Sequence, residues 1–168
     1  MKLKNSLKIF SLCLSVGVFL TLPSFSEVSF TKGKVTIPFT PSITIKDKNL
    51  KQKDKSEITI NFKLEEQSYI YKESLNVSFD ANSNIKNSSP IYPKSEKKFD
   101  KFSNHDKEIY SKDFSIKVPI QLDNAKLGKN EIKVKDGYQG CSLKRGICFL
   151  PQKKELLLSL DIKKWILM

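Results

Sequence analysis

From Phe114 to Leu122 the chain alternates without a break: Phe114, Ile116, Val118, Ile120 and Leu122 are separated by Ser115, Lys117, Pro119 and Gln121. Side chains along a strand point to opposite faces in turn, so period two means a strand with one buried face. The same pattern runs through Ile58, Ile60, Phe62 and Leu64, and more briefly through Val35, Ile37 and Phe39. Further strands are expected over residues 69–79, 131–134 and 156–162, with polar, turn-rich segments at 46–56, 80–93 and 123–130. No window of a dozen residues repeats its apolar positions at helical spacing. Many short strands joined by polar turns point to an all-β fold, an antiparallel sandwich or barrel, and the length suits an immunoglobulin-like antiparallel β-sandwich. Pro119 has no N–H to give a ladder, which places its strand at a sheet edge or the residue at a bulge.

The N-terminus reads differently. Three lysines, Lys2, Lys4 and Lys8, precede an apolar run from Ile9 to Leu22 and then small residues at Ser24 and Ser26. Basic, apolar and small in that order is the pattern of a secretory signal, with cleavage expected after Ser26. The run holds 14 residues, and a bilayer crossing needs roughly 20. Residues 1–26 are thus expected to be a removed leader and 27–168 a single exported domain. The formal charge of the whole chain is +12, and without the three leader lysines the remainder carries +9. A lysine-rich solvated surface accounts for that charge. Arg145 is the single arginine, although arginine is the residue that grips phosphate or guanine bidentately. Nucleic acid is not expected as a partner.

Two cysteines remain after the leader, Cys141 and Cys148, six residues apart. A turn over Leu143-Lys144-Arg145-Gly146, with Gly146 fourth, sets 141 opposite 148 across a hairpin. Opposed Cα atoms at about 4.5 to 5.5 Å are within disulfide reach. A paired cysteine in an exported protein is commonly a structural staple. Against that, a loop of eight residues gains only about 2.5 kcal/mol from closure in the chain-entropy description. Spacing leaves staple and redox pair open.

Tyr138-Gln139-Gly140-Cys141, followed by Gly146-Ile147-Cys148-Phe149-Leu150-Pro151, resembles the active-site hairpin of the N-terminal periplasmic domain of DsbD-type thiol:disulfide interchange proteins. Ser68-Tyr69-Ile70-Tyr71-Lys72-Glu73 and Glu108-Ile109-Tyr110 resemble other stretches of that family in the same order. The resemblance implies an immunoglobulin-like sandwich with the cysteine pair on a hairpin near one end. It implies a protein-disulfide reductase component, passing reducing equivalents from a thioredoxin-like donor and a membrane electron-transfer protein of DsbD/CcdA type. The implied acceptor is a periplasmic disulfide isomerase or a cytochrome c maturation thioredoxin. Cys148 would form the mixed disulfide and Cys141 resolve it, with no cofactor, in a monomer. The stretch 100–106 matches a cap loop, with Phe102 as the shield and Asp100 beside it; Tyr69, Tyr71, Tyr138 and Phe149 would line the site. Relatives more often carry five residues between the cysteines, and Lys101 stands where an acidic residue is expected.

Three other readings attach to the same residues. Lys144 and Arg145 either lower a neighbouring thiol's pKa or point to water. His105, the only histidine, is expected in a solvated loop, because its spacing from the cysteines matches no usual zinc arrangement. A non-catalytic immunoglobulin-like binding or chaperone module with a structural disulfide is the alternative to the relay. Reduction potential separates the two.

Overall fold

The computed structural model describes residues 36–164 apart from 48, 81–84 and 124. The expected leader lies outside the described residues. Strands follow in the order β1 (Phe39–Ile45), β2 (Leu50–Lys51), β3 (Lys55–Leu64), β4 (Ser68–Tyr71), β5 (Asn76–Phe79), β6 (Lys86–Asn87) and β7 (Glu96–Asp100). They continue with β8 (His105–Tyr110), β9 (Phe114–Gln121), β10 (Gly128–Tyr138), β11 (Gly140–Ser142), β12 (Ile147–Cys148) and β13 (Gln152–Lys163). A 3-10 turn, Lys72–Ser74, separates β4 from β5.

These strands form three sheets, ordered β1-β3-β9-β6, β2-β13-β10-β5 and β12-β11-β4-β8-β7. The first two make the immunoglobulin-like sandwich. Alternation builds its core: Ile58, Ile60 and Phe62 of β3 and Ile116, Val118 and Ile120 of β9 come from one sheet, Ile132 and Val134 of β10 and Leu160 and Ile162 of β13 from the other. Each such side chain removed from water contributes about 1.5 to 3 kcal/mol. Rings fill the remaining space, with Phe62 stacked on Phe114 at 4.8 Å between centroids and edge-on to Tyr138 at 5.4 Å.

The third sheet grows from the sandwich strands. A tight connection takes β3 into β4, and Gln139 alone takes β10 into β11. All four residues of β4 are buried, so this strand is covered on both faces. Ile70 joins the main core, while Tyr69 and Tyr71 form a second cluster with Ile109 and Cys141. Residues two apart share a face, and that rule sorts the two clusters.

The expected strands over 58–64, 114–122 and 156–162 are present as β3, β9 and β13. The expected strand over 69–79 is instead two strands in different sheets. Ser74 Oγ donates to the Tyr71 carbonyl at 2.7 Å and Leu75 N–H to the Lys72 carbonyl at 3.2 Å. A serine that bonds its own backbone this way ends a ladder, and in the sequence the alternating series Tyr69, Tyr71, Leu75, Val77, Phe79 lapses only at Glu73. The segments read as turns contain the two-residue strands β2 and β6, and the 131–134 strand extends to the eleven residues of β10. Pro119 is not on an outermost strand. Its carbonyl accepts from Ser88 N–H at 2.9 Å on the flank of β9 that, among the described residues, β6 and the Ile91–Lys117 bridge alone pair with. The missing N–H therefore falls where the ladder is thinnest.

Candidate active site

The third sheet sets Cys141 opposite Cys148, with Ser142 opposite Ile147. Residues 143–146 make the turn, closed by Gly146 N–H to the Leu143 carbonyl at 3.3 Å, and Gly146 takes the φ of +64° that suits glycine. Phe149 N–H donates to the Gly140 carbonyl at 2.9 Å, so the hydrogen-bonded pair lies next door and the cysteines occupy a non-hydrogen-bonded position, where side chains approach closely. The cysteines form a disulfide. Their Cα atoms are 3.9 Å apart, closer than the spacing expected from the sequence.

The two sulfurs are not equivalent. Cys141 is fully buried and Cys148 is exposed. Cys141 belongs to β11, hydrogen-bonded on one side to β4 through Tyr69 and on the other to β12. Cys148 ends a two-residue outermost strand.

Below Cys141 lies a polar chain. Tyr71 Oη is 3.1 Å from Cys141 Sγ and 3.9 Å from Cys148 Sγ. The same hydroxyl donates to Asp100 Oδ2 at 2.9 Å, and Tyr69 donates to Asp100 Oδ1. Ser103 N–H adds a bond to Oδ2 at 2.9 Å. Burial by itself raises a carboxyl's pKa, but hydrogen bonding from Ser103, Tyr69 and Tyr71 outweighs it and holds Asp100 down at about 2. Burial, then the bond to Asp100, pushes Tyr71 up to about 12, and the same two causes raise Tyr69 further. At neutral pH the carboxylate is charged and both phenols keep their protons. Tyr71 has one proton, Asp100 is the stronger acceptor, and a disulfide sulfur has no proton to offer. Tyr71 thus presents an oxygen lone pair toward Cys141.

Asp100 ends β7 and Tyr69 and Tyr71 lie on β4, so the structure brings these three to the cysteine pair. Tyr138 and Phe149 go elsewhere: both pack in the main core, edge-on to Phe39 at 6.1 and 5.8 Å. Phe102 sits in the 101–104 turn and is exposed, as is Cys148, so the cap as placed leaves the outer sulfur open. Arg145 follows neither reading made from the sequence. It binds Glu65 at 2.6 Å and the Thr36 carbonyl, which fastens the hairpin tip to the segments before β1 and after β3. Lys144 is exposed. His105 opens β8, with Nδ1 2.8 Å from the Ser103 carbonyl. Among the described residues no three His, Cys, Asp or Glu side chains gather as a metal site.

Sequence reasoning missed Ser74 and, as a structural element, the side chain of Gln139. Ser74 Oγ receives the Gln139 N–H at 2.9 Å, and Gln139 Nε2 reaches the Phe149 carbonyl at 3.2 Å. Together they fix the base of the cysteine hairpin to the end of β4. No pattern in the sequence marks a bond between residues 65 positions apart.

Comparison with known proteins accords with this geometry. No curated protein matches the chain. Among solved structures, the N-terminal domain of DsbD from Neisseria meningitidis in the reduced form is similar at a TM-score of 0.50 and 22% identity, over 74% of this chain and 86% of that one. The complex between the DsbD N-terminal and PilB N-terminal domains from the same organism is similar at 0.50 and 19% identity, over 74% of this chain and 88% of that one. The family model described as "Thiol:disulfide interchange protein DsbD, N-terminal" matches residues 26–160. Fold, hairpin and family match agree: the chain belongs to the family of DsbD N-terminal domains.

Proposed function

We propose that the domain carries reducing equivalents between a thioredoxin-like donor and oxidised proteins in the periplasm, with Cys148 as the attacking sulfur and Cys141 as the resolving one. Family membership supports thiol:disulfide interchange in general. The observation that supports these roles is the asymmetry of the pair, one sulfur buried among tyrosines and the other exposed on an outer strand.

Starting from the dithiol, the Cys148 thiolate attacks a partner's disulfide, joins one of its sulfurs and expels the other as a thiolate. Cys141 then gives up its proton and attacks Cys148 Sγ, which releases the partner as a dithiol and leaves the Cys141–Cys148 disulfide. A donor dithiol reverses the sequence and restores the reduced domain. Access favours Cys148 for the first attack. Cys141 needs only to reach the sulfur across the ladder.

Trapping tests the assignment. Cys141→Ser should accumulate a partner joined through Cys148, and Cys148→Ser should accumulate none; the opposite result exchanges the roles. The membrane donor is proposed to be of DsbD/CcdA type, and the acceptor a disulfide isomerase or a cytochrome c maturation thioredoxin. Mass analysis of the trapped species identifies it. We propose residues 1–26 as the cleaved leader, which N-terminal sequencing of the exported protein checks. Phe102 is proposed to shield the pair between encounters, which requires the 101–104 turn to move toward Cys148. Phe102→Ala should then speed oxidation of the dithiol by small oxidants severalfold, and an unchanged rate removes that role.

A further inference from the structure

Resting on the redox reading of Cys148, we infer that the surface around it docks a protein partner whose own reactive disulfide sits in an apolar patch ringed by acidic residues. Phe99, Phe102, Leu143, Ile147 and Leu150 are all exposed, and Leu150 is 81% exposed. Ile147 and Leu150 flank Cys148 in the chain, and Phe99 and Leu143 meet at a cavity beside Tyr69 and Asp100. Cap and hairpin therefore present their apolar side chains at one end of the domain. Scattered exposed apolar residues are ordinary, but five from two adjoining segments around a reactive sulfur form the apolar centre of a docking surface.

Charge selects the partner. Lys98 and Lys101 line the same cavity, and Lys144 follows Leu143 in the turn. All three are exposed, and none forms an ion pair among the described residues. Apart from Glu66, which is exposed beside Gln67, the acids of this end are engaged. Asp100 is buried under the tyrosines, Glu65 is held by Arg145, Asp106 by Lys97, and Glu73 by Lys107. What remains is an apolar patch with three free cations, which acidic groups on a partner complement. An anionic lipid surface shares the charge but offers Cys148 no disulfide to attack.

The reduced domain is tested with three cysteine peptides of one apolar core, each carrying 2-nitro-5-thiobenzoate on its sulfur and flanked by glutamates, lysines or serines. Cys148 attack releases the coloured thiolate, and Cys141 then frees the peptide thiol. At low salt the acidic peptide should react at least tenfold faster than the basic one, and the gap should close as salt screens the surface. In the variant Lys98→Glu, Lys101→Glu and Lys144→Glu the order should reverse. Reversing Lys55, Lys129 and Lys163, at the other ends of β3, β10 and β13, should leave the order intact. Equal rates for acidic and basic peptides overturn the docking inference while the serine peptide's reaction upholds the redox reading; failure of the serine peptide to react sinks both. Preference lost equally in both triple variants overturns it in favour of overall charge. Binding to phosphatidylglycerol vesicles without peptide discrimination overturns it in favour of lipid.

Discussion

Asp100 and Asp136 are both buried carboxyls, and their surroundings drive them in opposite directions. Asp100 collects donors, so its folded pKa of about 2 lies below the usual 3.8. A depressed value contributes stability above the unfolded pKa that is lost as pH falls from about 4 to about 2. Asp100→Asn should therefore cost about 2 kcal/mol at pH 7 and little at pH 2, read by urea unfolding. Asp136 continues the inward series Ile132, Val134, Tyr138 on β10, and neither of its oxygens has a hydrogen-bond partner among the described residues. Burial raises it to about 7, and its charge is felt by Tyr92 and Tyr138. Here the folded state holds the extra proton, so stability is full below about pH 4 and falls until about pH 7, by about 4 kcal/mol at 1.36 kcal/mol per unit. Asp136→Val should stabilise the domain at pH 8 by about 2 kcal/mol or more and flatten the profile between pH 4 and 7; a loss of stability at pH 8 would show that the carboxyl is satisfied in solution.

Among the elements, β11 tolerates least change. Gly140 precedes Cys141 and pairs with Ile70. A Cβ there would fall on the Tyr69 carbonyl oxygen and the Phe39 ring, and the carbonyl cannot give way without breaking the β4 pairing. Gly140→Ala should destabilise the domain by more than about 2 kcal/mol and slow peptide exchange together with it. The hairpin tip is less demanding. The Arg145 and Glu65 side chains are 31% and 50% exposed, and a partly solvated pair of this kind contributes about 0–1 kcal/mol. Arg145→Ala should leave the melting temperature within a few degrees, and a larger fall would mean that its hold on Thr36 organises the start of β1. The interruption between β4 and β5 has a functional consequence at the same scale. It turns the chain after Tyr71, so that the tyrosines stay under the cysteines while β5 returns to the sandwich.

For the whole molecule, the disulfide and the core are separate. Cys141 sits in the small cluster with Tyr69, Tyr71 and Ile109, and the sandwich core is built without it. Opening the bond should cost about 2.5 kcal/mol in the chain-entropy description, which is roughly 5–10 °C of melting temperature for a domain of this size. The reduced domain should remain folded, as the proposed relay, which spends part of its cycle as a dithiol, requires. Calorimetry with and without reductant checks this, and cooperative unfolding on reduction at 25 °C would instead mark the bond as a staple.

The sequence by itself determined the all-β class, because period-two alternation in β3, β9 and β13 buries one face of each strand; that the sheets face each other as a sandwich and do not close into a barrel is visible in the tertiary structure. It also determined the cysteine pairing, since a four-residue turn ending in Gly146 leaves Cys141 only Cys148 to face. Asp100, Tyr69 and Tyr71 were named through resemblance and the fold sets them beside the cysteine pair, whereas Tyr138 and Phe149, named by the same route, pack in the main core. Only the tertiary structure decided which sulfur is exposed, that Arg145 serves the hairpin tip and not the thiols, and that Ser74 and Gln139 anchor its base. Those outcomes depend on contacts between segments tens of residues apart, and no local spacing encodes which face of β4 a distant hairpin will cover.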